Sequence, residues 1–314
     1  MTPAEPHHSE GEQSSSIPLS VLIVTYHSET VIANCINSLM PELNHLGGEV
    51  IVVDNASKDG TQGVLDELQD KHEALQVIHN RGNRGFATGN NQALDASSGQ
   101  DVLILNPDTQ LNPGVLKGLL TELHKAPEIG MVAPQLRFPD GRVQKTCRRF
   151  PTHGDVIYPA LGLARLFPKN QRFNGWKMGD FDHRSRRRVD QPAGAAMMVR
   201  GDLLRSLGGF DENFPMFFND VDLCKRIHDS GAEIWFTPEH VITHVGGDSV
   251  NQVKIKMILS SHVSFFRYLE KHFIQVIHQP LNFVAALVLY LSLIPRVLLA
   301  LLGKGRSQKQ RDTL

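Results

Sequence analysis

A single carboxylate, that of Asp108, follows a short apolar run and an Asn-Pro pair. The run Val102–Leu105 is typical of a strand buried on both faces, and Pro107 should end it because proline cannot donate a ladder hydrogen bond. Ligands of open α/β sheets bind at the carboxyl ends of the strands. Asp108 is therefore suited either to a divalent cation that also contacts phosphate oxygens or simply to a turn, and the motif leaves both open.

A second set of carboxylates, Asp220 and Asp222, lies where an aromatic stretch gives way to a helix predicted over Val221–Asp229. Neighbouring rings such as Phe217 should desolvate these carboxylates, raise their pKa and make them better bases. The alternative use is helix capping, with Asn219 or Asp220 as the N-cap and Asp222 in the first turn. Both uses are compatible with each other.

A third candidate, His244, stands before two glycines in a predicted loop. A lone histidine in a polar loop is usually a surface residue. If Asp108 binds a cation, however, His244 becomes a candidate second ligand for the same cation. The two residues are 136 positions apart in the chain, so the fold must bring them together.

Predicted strands and helices alternate through the first half of the chain. The strands are Leu19–Tyr26, Glu49–Asp54, Leu75–His79 and the run that leads to Asp108. The helices are Glu29–Met40, with Ser28 as its N-cap and Pro41 after its end, Thr61–Gln69 and about Ala87–Ala96. This alternation indicates a doubly wound, parallel sheet, in which right-handed crossovers bring the strand ends to one rim.

Four loops should meet at that rim, and their polar residues predict a nucleotide site. They are Thr25-Tyr26-His27, Asp54-Asn55, Asn83-Arg84-Gly85 and Asn106-Pro107-Asp108. Asp54 can accept a hydrogen bond from a base or a ribose hydroxyl, although capping the next helix is its alternative use. Gly85 allows close backbone approach, and the helix that follows it should favour an anion.

Several classes of protein are disfavoured. No GxGxxG follows the first strand and no GxxxxGK[ST] occurs, which argues against a dinucleotide oxidoreductase and a P-loop enzyme. A net charge of -1 over 314 residues gives no overall field that favours nucleic acid. The 3 cysteines are widely spaced and form no disulfide framework, which suits a reducing compartment.

The second half of the chain is less regular. Residues 148–191 are predicted to form long loops, and their basic cluster Arg184–Arg188 either contacts phosphates of an acceptor or a lipid surface or is simply solvated. The later predicted elements are a strand over Pro192–Val199, a short helix over Asp202–Leu207 and a strand over Ile234–Thr237 that Pro238 ends.

The two ends of the chain differ in character. Residues 1–17 are polar, lack a secretory signal and are predicted to be disordered. Residues 281–302 are strongly apolar, interrupted by Pro295-Arg296 and flanked by basic residues on both sides. Because the positive-inside rule then requires both flanks in the cytoplasm, an interfacial or re-entrant helix on the cytoplasmic leaflet is favoured over a packing helix or a dimer contact.

Together these pieces resemble the inverting family-2 glycosyltransferases, and within them the rhamnosyltransferase-like branch that builds bacterial surface polysaccharides. The motifs occur in the order of the family between Pro18 and Ser249. They are Val24-Thr-Tyr26, Val53-Asp-Asn55, Asn83-Arg-Gly-Phe-Ala87 with Gly89-Asn-Asn91, Leu105-Asn-Pro-Asp108, Gly208-Gly-Phe-Asp-Glu212, Asn219-Asp-Val-Asp-Leu223 and His244-Val-Gly-Gly247.

The resemblance implies a fold, a substrate and a metal. The fold is α/β of GT-A type, a Rossmann-like, mostly parallel sheet flanked by helices, followed here by a carboxyl-terminal apolar helical extension. Residues 18–110 form the nucleotide-sugar-binding half, residues 111–255 the acceptor and catalytic half of the same domain, and residues 256–314 a membrane-associating helical region with a basic tail. The substrate is a nucleotide diphosphate sugar, and the cofactor is Mg²⁺ or Mn²⁺.

Roles carry over position by position. By resemblance Asp220 is the catalytic base, Asp108 ends the metal-binding acidic motif and His244 assists metal binding. Asn106 occupies the first acidic position of that motif, which leaves one carboxylate and a weaker expected metal affinity. The remaining positions are Thr25, Tyr26, Asp54 and Asn55 for the base and ribose, Asn83, Arg84 and Gly85 beneath the diphosphate, Asn90 and Asn106 for the donor, and Asp222 and Phe217 on the acceptor side.

The implied reaction is a single displacement, in which Asp220 takes the proton of the attacking acceptor hydroxyl and the cation neutralises the departing diphosphate. The acceptor would be lipid-linked or a polysaccharide, and the enzyme would work at the cytoplasmic face of the plasma membrane. A nucleotidyltransferase and a non-catalytic membrane-bound scaffold remain alternatives. A nucleotidyltransferase should carry a Gly-rich, basic loop after the first strand. The segment Thr25–Glu29, which follows that strand here, is not such a loop.

Overall fold

The computed structural model describes residues 17–214, 216–246 and 254–293, and the predictions made for residues 1–16 and 294–314 lie outside them. The described strands are β1 (Leu19–Thr25), β2 (Glu49–Asp54), β3 (Leu75–His79), β4 (Asp101–Leu105), β5 (Thr109–Leu111), β6 (Ile129–Arg137), β7 (Arg187–Arg188), β8 (Ala196–Arg200) and β9 (Glu233–His244). They form one sheet in the order β3-β2-β1-β4-β8-β6-β9-β5, with β7 paired to β9.

Helices flank this sheet. They are α1 (Ile32–Leu46), α2 (Thr61–Lys71), α3 (Phe86–Ala96), α4 (Val115–Leu123), α5 (Gly154–Ala160), α6 (Leu163–Leu166), α7 (Gln171–Asn174), α8 (Gly201–Ser206), α9 (Asn219–Asp229), α10 (Lys254–His272) and α11 (residues 279–293). The segment from 148 to 191, predicted to be loops, therefore contains three short helices and β7.

The sheet is mixed, and six of its nine described strands run in one direction. Strands β1, β2, β3 and β4 run in one direction, and β6 and β9 run parallel to each other. Strand β8 lies between β4 and β6 and is antiparallel to both, so β4 and β6 also run in the same direction. The carboxyl ends of β1, β2, β4 and β9 and the amino end of β8 consequently lie along one rim of the sheet.

The alternation of side chains in β1 shows why the central strands are continuously apolar. Val21 and Ile23 pack into the core under α1, α2 and α4, whereas Leu22 and Val24 pack into the core under α3, α8 and α9. Because both faces are covered, every position of β1 is buried. A third core joins α5, α9, α10 and α11 around Phe214, Phe265 and Tyr268.

Two prolines were wrongly predicted to end elements. Helix α1 runs through Pro41 to Leu46, because the buried face around it offsets the lost backbone hydrogen bond. Its start also differs, since the backbone carbonyl of Ser28, rather than its side chain, accepts from Val31 and Ile32. Strand β9 continues past Pro238, which lies in the irregularity where its pairing with β6 shifts register.

Gly89 shows how tightly α3 packs on β1. A Cβ at this position would lie 2.8 Å and 3.0 Å from the two methyl carbons of Val24. We expect Gly89→Ala to lower the free energy of unfolding by about 1–3 kcal/mol through overpacking. Gly63 in α2 is the matched control, because nothing lies within 4 Å of a Cβ there. Urea denaturation should show Gly63→Ala neutral or slightly stabilised, and equal losses in both variants would contradict this packing argument.

Candidate active site

The segment Asn106–Asp108 is a turn between β4 and β5, and it also presents a carboxylate. The hydroxyl of Thr109 donates to the Asn106 carbonyl at 2.7 Å, and the Asn106 amide donates to the Ala195 carbonyl at 2.9 Å. Asp108 Oδ2 accepts from the Gly246 amide at 2.9 Å. The turn is therefore observed, and the use of Asp108 as a cation ligand stays a prediction.

His244 ends β9 beside this turn, with its Nε2 3.3 Å from Asp108 Oδ1. Its Nδ1 lies 2.8 Å from Gln144 Oε1, and Gln144 Nε2 donates to the His244 carbonyl at 2.7 Å. Gln144 Oε1 can only accept a hydrogen bond, so His244 Nδ1–H donates to it and the other ring nitrogen, Nε2, faces Asp108. Gln144 is a positioning residue that sequence reasoning missed, because nothing in its local sequence marks it.

The ionisation of Asp108 also suits a cation site. Burial acts to raise the pKa of Asp108, but the hydrogen bond and charge of His244 and the Gly246 amide outweigh it, so the pKa lies below its ordinary value. Among the described residues, no group of three or more His, Cys, Asp and Glu could hold a metal ion. A cation here would thus have a carboxylate oxygen and an imidazole nitrogen, with other positions left for phosphate oxygens and water, a donor set that fits Mn²⁺ well and Mg²⁺ acceptably.

Asp220 lies in the first turn of α9, not at its N-cap. The N-cap is Phe218, whose φ of 65° turns the chain into the helix, and no side chain caps it. Asp220 Oδ2 accepts from the Gly194 amide at 3.0 Å, and its Oδ1 accepts from the Val221 amide at 2.9 Å. Burial raises the pKa of Asp220 although these amides lower it, which favours a role as a proton acceptor.

One short segment links this carboxylate to the Asn106–Asp108 turn. Gly194 donates to Asp220, and the next residue, Ala195, accepts from Asn106. A Cβ on Gly194 would lie 3.1 Å from the Asp220 Cβ, so a larger residue here would have to displace Asp220 slightly. The segment before β8 therefore fixes the distance between the two candidate functional groups.

The loops after β1 and β2 lie on the same rim as the Asn106–Asp108 turn, on the side of the predicted nucleotide site. Thr25 Oγ1 and Asn90 Oδ1 are buried and have no hydrogen-bond partner within the described part of the chain. Buried polar atoms are normally paired, so these two are candidate ligand contacts. Tyr26 is 40% exposed and stacks on His27 with ring centroids 4.0 Å apart, which leaves an aromatic face open at the rim.

Asp54 and Asn55 lie together but make different contacts. The Asp54 carboxylate is buried and accepts from the Ser57 amide and from Gln62 Nε2 at 2.8 Å, so it stabilises the turn that precedes α2. Asn55 Nδ2 donates to the Gly85 carbonyl at 3.0 Å. Asn55 thereby holds the loop that begins α3. A role of Asp54 toward a nucleotide stays a prediction.

The loop Asn83–Gly85 is shaped for close approach at the start of α3. The Asn83 side chain accepts from the Gly85 amide at 2.9 Å, and Gly85 has a φ of 86°, which favours glycine. No side chain caps α3, so its first amides remain available to an anion. The Arg84 side chain is exposed beside them.

A family assignment follows from the comparison of this chain with known proteins. The sequence model described as glycosyl transferase family 2 matches residues 20–187. The chain belongs to glycosyl transferase family 2. This matched region contains the rim of the nucleotide loops and Asp108, whereas Asp220 and His244 follow it in the chain.

This family-2 glycosyl transferase is similar to two sequence relatives and to a solved structure. N-acetylglucosaminyl-diphospho-decaprenol L-rhamnosyltransferase of Mycobacterium tuberculosis is 26% identical over 231 residues, 70% of this chain and 74% of that protein. The low-salt glycan biosynthesis hexosyltransferase Agl10 of Haloferax volcanii is 24% identical over 81% of this chain and 75% of its own length. Mannosyltransferase PcManGT of Pyrobaculum calidifontis, solved with GDP-Man and Mn²⁺, superposes with a TM-score of 0.57 at 18% identity, over 94% of this chain and 81% of that one.

The fold of this family-2 glycosyl transferase is GT-A, and the carboxyl-terminal helix is apolar, as the sequence predicted. The predicted metal residues, Asp108 and His244, are in contact. Asp222, in contrast, is fully buried, and its carboxylate is occupied by Arg226, Lys271 and His272. Phe217 is half-buried in the segment before α9. Acceptor roles for these two residues stay predictions, and for Asp222 the geometry favours a structural task.

Proposed function

We propose that the protein transfers a sugar from a nucleotide diphosphate donor to a hydroxyl of a lipid-linked or polysaccharide acceptor, with inversion at the anomeric carbon, in the synthesis of cell-surface polysaccharide. The observation that carries this proposal is the pairing of Asp108 and His244, 3.3 Å apart, on the rim that also holds Asp220. Family membership supports sugar transfer as such.

Donor binding is assigned to the rim loops. Thr25 Oγ1 and Asn90 Oδ1 would pair with the nucleoside, which satisfies two buried polar atoms. The uncapped amides at the start of α3 and the Arg84 guanidinium would contact the diphosphate. Asp108 and His244 would hold Mg²⁺ or Mn²⁺, which supplies charge neutralisation for the leaving diphosphate.

Proton transfer is assigned to Asp220. Its raised pKa suits a base, and the Gly194 and Val221 amides fix its orientation. It would accept the proton of the acceptor hydroxyl while that oxygen attacks the anomeric carbon from the face opposite the diphosphate. Because one displacement occurs, the anomeric configuration inverts.

The nature of the acceptor is supported by two observations. The mycobacterial relative is named for rhamnosyl transfer to a lipid-linked N-acetylglucosamine, which makes rhamnosyl transfer the first activity to assay. In this chain, Val276–Leu293 has a mean hydropathy of 1.6 and is long and apolar enough to cross a membrane, and only 11% of it is buried. An apolar surface helix agrees with association at the cytoplasmic leaflet, where lipid-linked acceptors are accessible.

The donor assignment is tested by thermal stabilisation. A ligand that binds only the native state raises its melting temperature. We expect one nucleoside diphosphate with Mn²⁺ or Mg²⁺ to stabilise the wild type, and Asp108→Ala and His244→Ala to lose the metal-dependent part of the shift. Asp140→Ala, which removes an exposed carboxylate paired with Arg142, should behave as wild type. No shift with any nucleotide would reject the proposed donor class.

A further inference from the structure

A cavity of about 500 Å³ lies between the short helices α5–α7 and the two carboxyl-terminal helices. Its walls are mainly aromatic and aliphatic, with Val156, Phe173, Trp176, Phe265 and Leu289 among the lining residues. Its volume is within the usual range of ligand sites, which is about 300–1,000 Å³. The donor residues at the rim do not line it.

The cavity wall holds a polar atom without a partner. Trp176 Nε1 is buried, and no described residue accepts a hydrogen bond from it, although an indole N–H normally finds an acceptor when buried. The next residue, Lys177, also lines the cavity and has an exposed side chain. An N–H donor and an ammonium group that line the same cavity suit a phosphate oxygen.

Two separate segments expose large apolar side chains on either side of this cavity. Leu161, Leu166 and Phe167 are exposed beside α6, which contributes Ala164 to the wall. On the other side, Phe283 is 73% exposed and Tyr290 is 66% exposed on α11, which contributes Leu289. Arg165 is exposed among the apolar residues of the first segment, and Lys169 and Arg172 are exposed just after it. Exposed apolar side chains interspersed with basic ones are typical of surfaces that contact anionic lipids.

The inner wall of the cavity is close in sequence to the candidate base. Phe218 lines the cavity and is the N-cap of α9, two residues before Asp220. Its ring packs on Phe265 with centroids 4.9 Å apart. A ligand in the cavity therefore contacts the residue from which the catalytic helix begins.

We propose that this cavity binds the first part of the apolar chain of a lipid-phosphate acceptor, with Trp176 Nε1–H and Lys177 contacting the phosphate. This inference rests on the proposed function, which requires an acceptor near Asp220. The chain enters from the membrane between the segment of residues 161–167 and α11, and its phosphate end lies toward α9. The acceptor is thus recognised through its lipid as well as through its sugar.

The test uses farnesyl phosphate as a short lipid-phosphate probe below its micelle concentration. The chain has 2 tryptophans, so Trp235→Phe leaves Trp176 as the reporter inside the full-length protein. We expect a saturable change in Trp176 emission with farnesyl phosphate, binding about tenfold weaker with farnesol because the phosphate contacts are lost, and no change with inorganic phosphate.

A cavity-filling variant and a matched control complete the experiment. Ala164→Phe places a ring in the cavity and should raise the Kd for farnesyl phosphate about tenfold or more. Val263→Phe adds the same ring to the exposed side of α10, outside the lining, and should leave the Kd unchanged. No response of the Trp235→Phe protein, or equal Kd values for the two cavity and control variants made in it, would overturn the proposal.

The nucleotide-dependent thermal shift is measured on the same preparations, which separates the two proposals. If farnesyl phosphate does not bind but the metal-dependent nucleotide shift is present, only the cavity assignment is overturned. A missing nucleotide shift counts against the donor site whatever the lipid result. Farnesol that binds as tightly as farnesyl phosphate would overturn the assignment of Trp176 and Lys177 to the phosphate.

Discussion

Replacement of Asp220 by asparagine should reduce the rate of sugar transfer about 10²–10⁴-fold while leaving nucleotide binding intact. The expected loss is that of a general base, since an amide cannot accept the proton of the acceptor hydroxyl. The new side chain is close to isosteric with the native carboxylate and retains an oxygen for the Gly194 amide, so α9 should keep its place.

The pH dependence of the wild type gives a second readout for the same residue. Burial raises the pKa of Asp220, and only the deprotonated form can act as the base. The value of kcat/KM should therefore fall as the pH decreases through this raised pKa and level off above it. In Asp220→Asn this acidic limb should disappear from the residual rate.

The measurement is the initial rate of transfer across pH with a fixed donor and acceptor. Asp229→Asn is the matched control, because Asp229 ends the same helix and is paired to Lys225 at the surface. The control should keep both the wild-type rate and the acidic limb. A residual rate in Asp220→Asn within about threefold of wild type would show that another group takes the proton, far from the loss expected of a base.

Sequence patterns predicted the parts of this site that depend on strand ends. The continuous apolar runs of β1, β2 and β4 follow from burial on both faces of the sheet, and that topology alone brings Thr25, Asn55 and Asp108 to one rim. The bounds of β2 and β3 were predicted correctly.

The errors arose where tertiary contacts outweigh local preference. Pro41 lies inside α1 because the helix face formed by residues such as Leu39 and Leu43 is buried. Pro238 is tolerated in β9 at a shift of register. In both cases the segments whose packing or pairing offsets the missing N–H are remote in sequence, so the local pattern predicts an end that the packing removes.

The contacts that orient the candidate functional groups could not be predicted from the sequence either. Gln144 contacts His244 across 100 residues, and Lys271 contacts Asp222 across 49. Neither glutamine nor lysine has a local pattern that indicates such a partner. The sequence could thus nominate candidate functional groups, whereas the groups that orient them became visible only with the fold.

Replacement of Asp222 by asparagine should lower the free energy of unfolding by about 3 kcal/mol at neutral pH. The Asp222 carboxylate is fully buried and accepts from Arg226 Nε at 2.8 Å, Lys271 Nζ at 2.7 Å and His272 Nε2 at 2.8 Å. Removal of its charge leaves two cations without their shared counterion. Lys271 is partly exposed and also pairs with Asp211. The expected loss of stability is therefore at the lower end of the range of about 3–5 kcal/mol for breaking a buried ion pair.

Acid should remove the same stabilisation from the wild type. Burial acts to raise the pKa of Asp222, but hydrogen bonds from His272 and Lys271 and the charge of Arg226 lower it from 3.8 to about 2. A carboxyl whose pKa is lower in the folded state stabilises fully above its unfolded pKa and loses that contribution as the pH falls through the folded value. Between about pH 5 and pH 2, wild type should lose roughly 2 kcal/mol more than Asp222→Asn.

Urea denaturation of wild type and Asp222→Asn at several pH values measures how the difference between their free energies of unfolding changes with pH. Asp229→Asn again serves as the control, since its half-exposed pair with Lys225 should contribute less than about 1 kcal/mol. A constant gap between wild type and Asp222→Asn from pH 5 to pH 2 would contradict the assignment of the shift to this carboxyl. Because Lys271 and His272 end α10, the loss of Asp222 should also loosen α10 from α9 and lower the transfer rate.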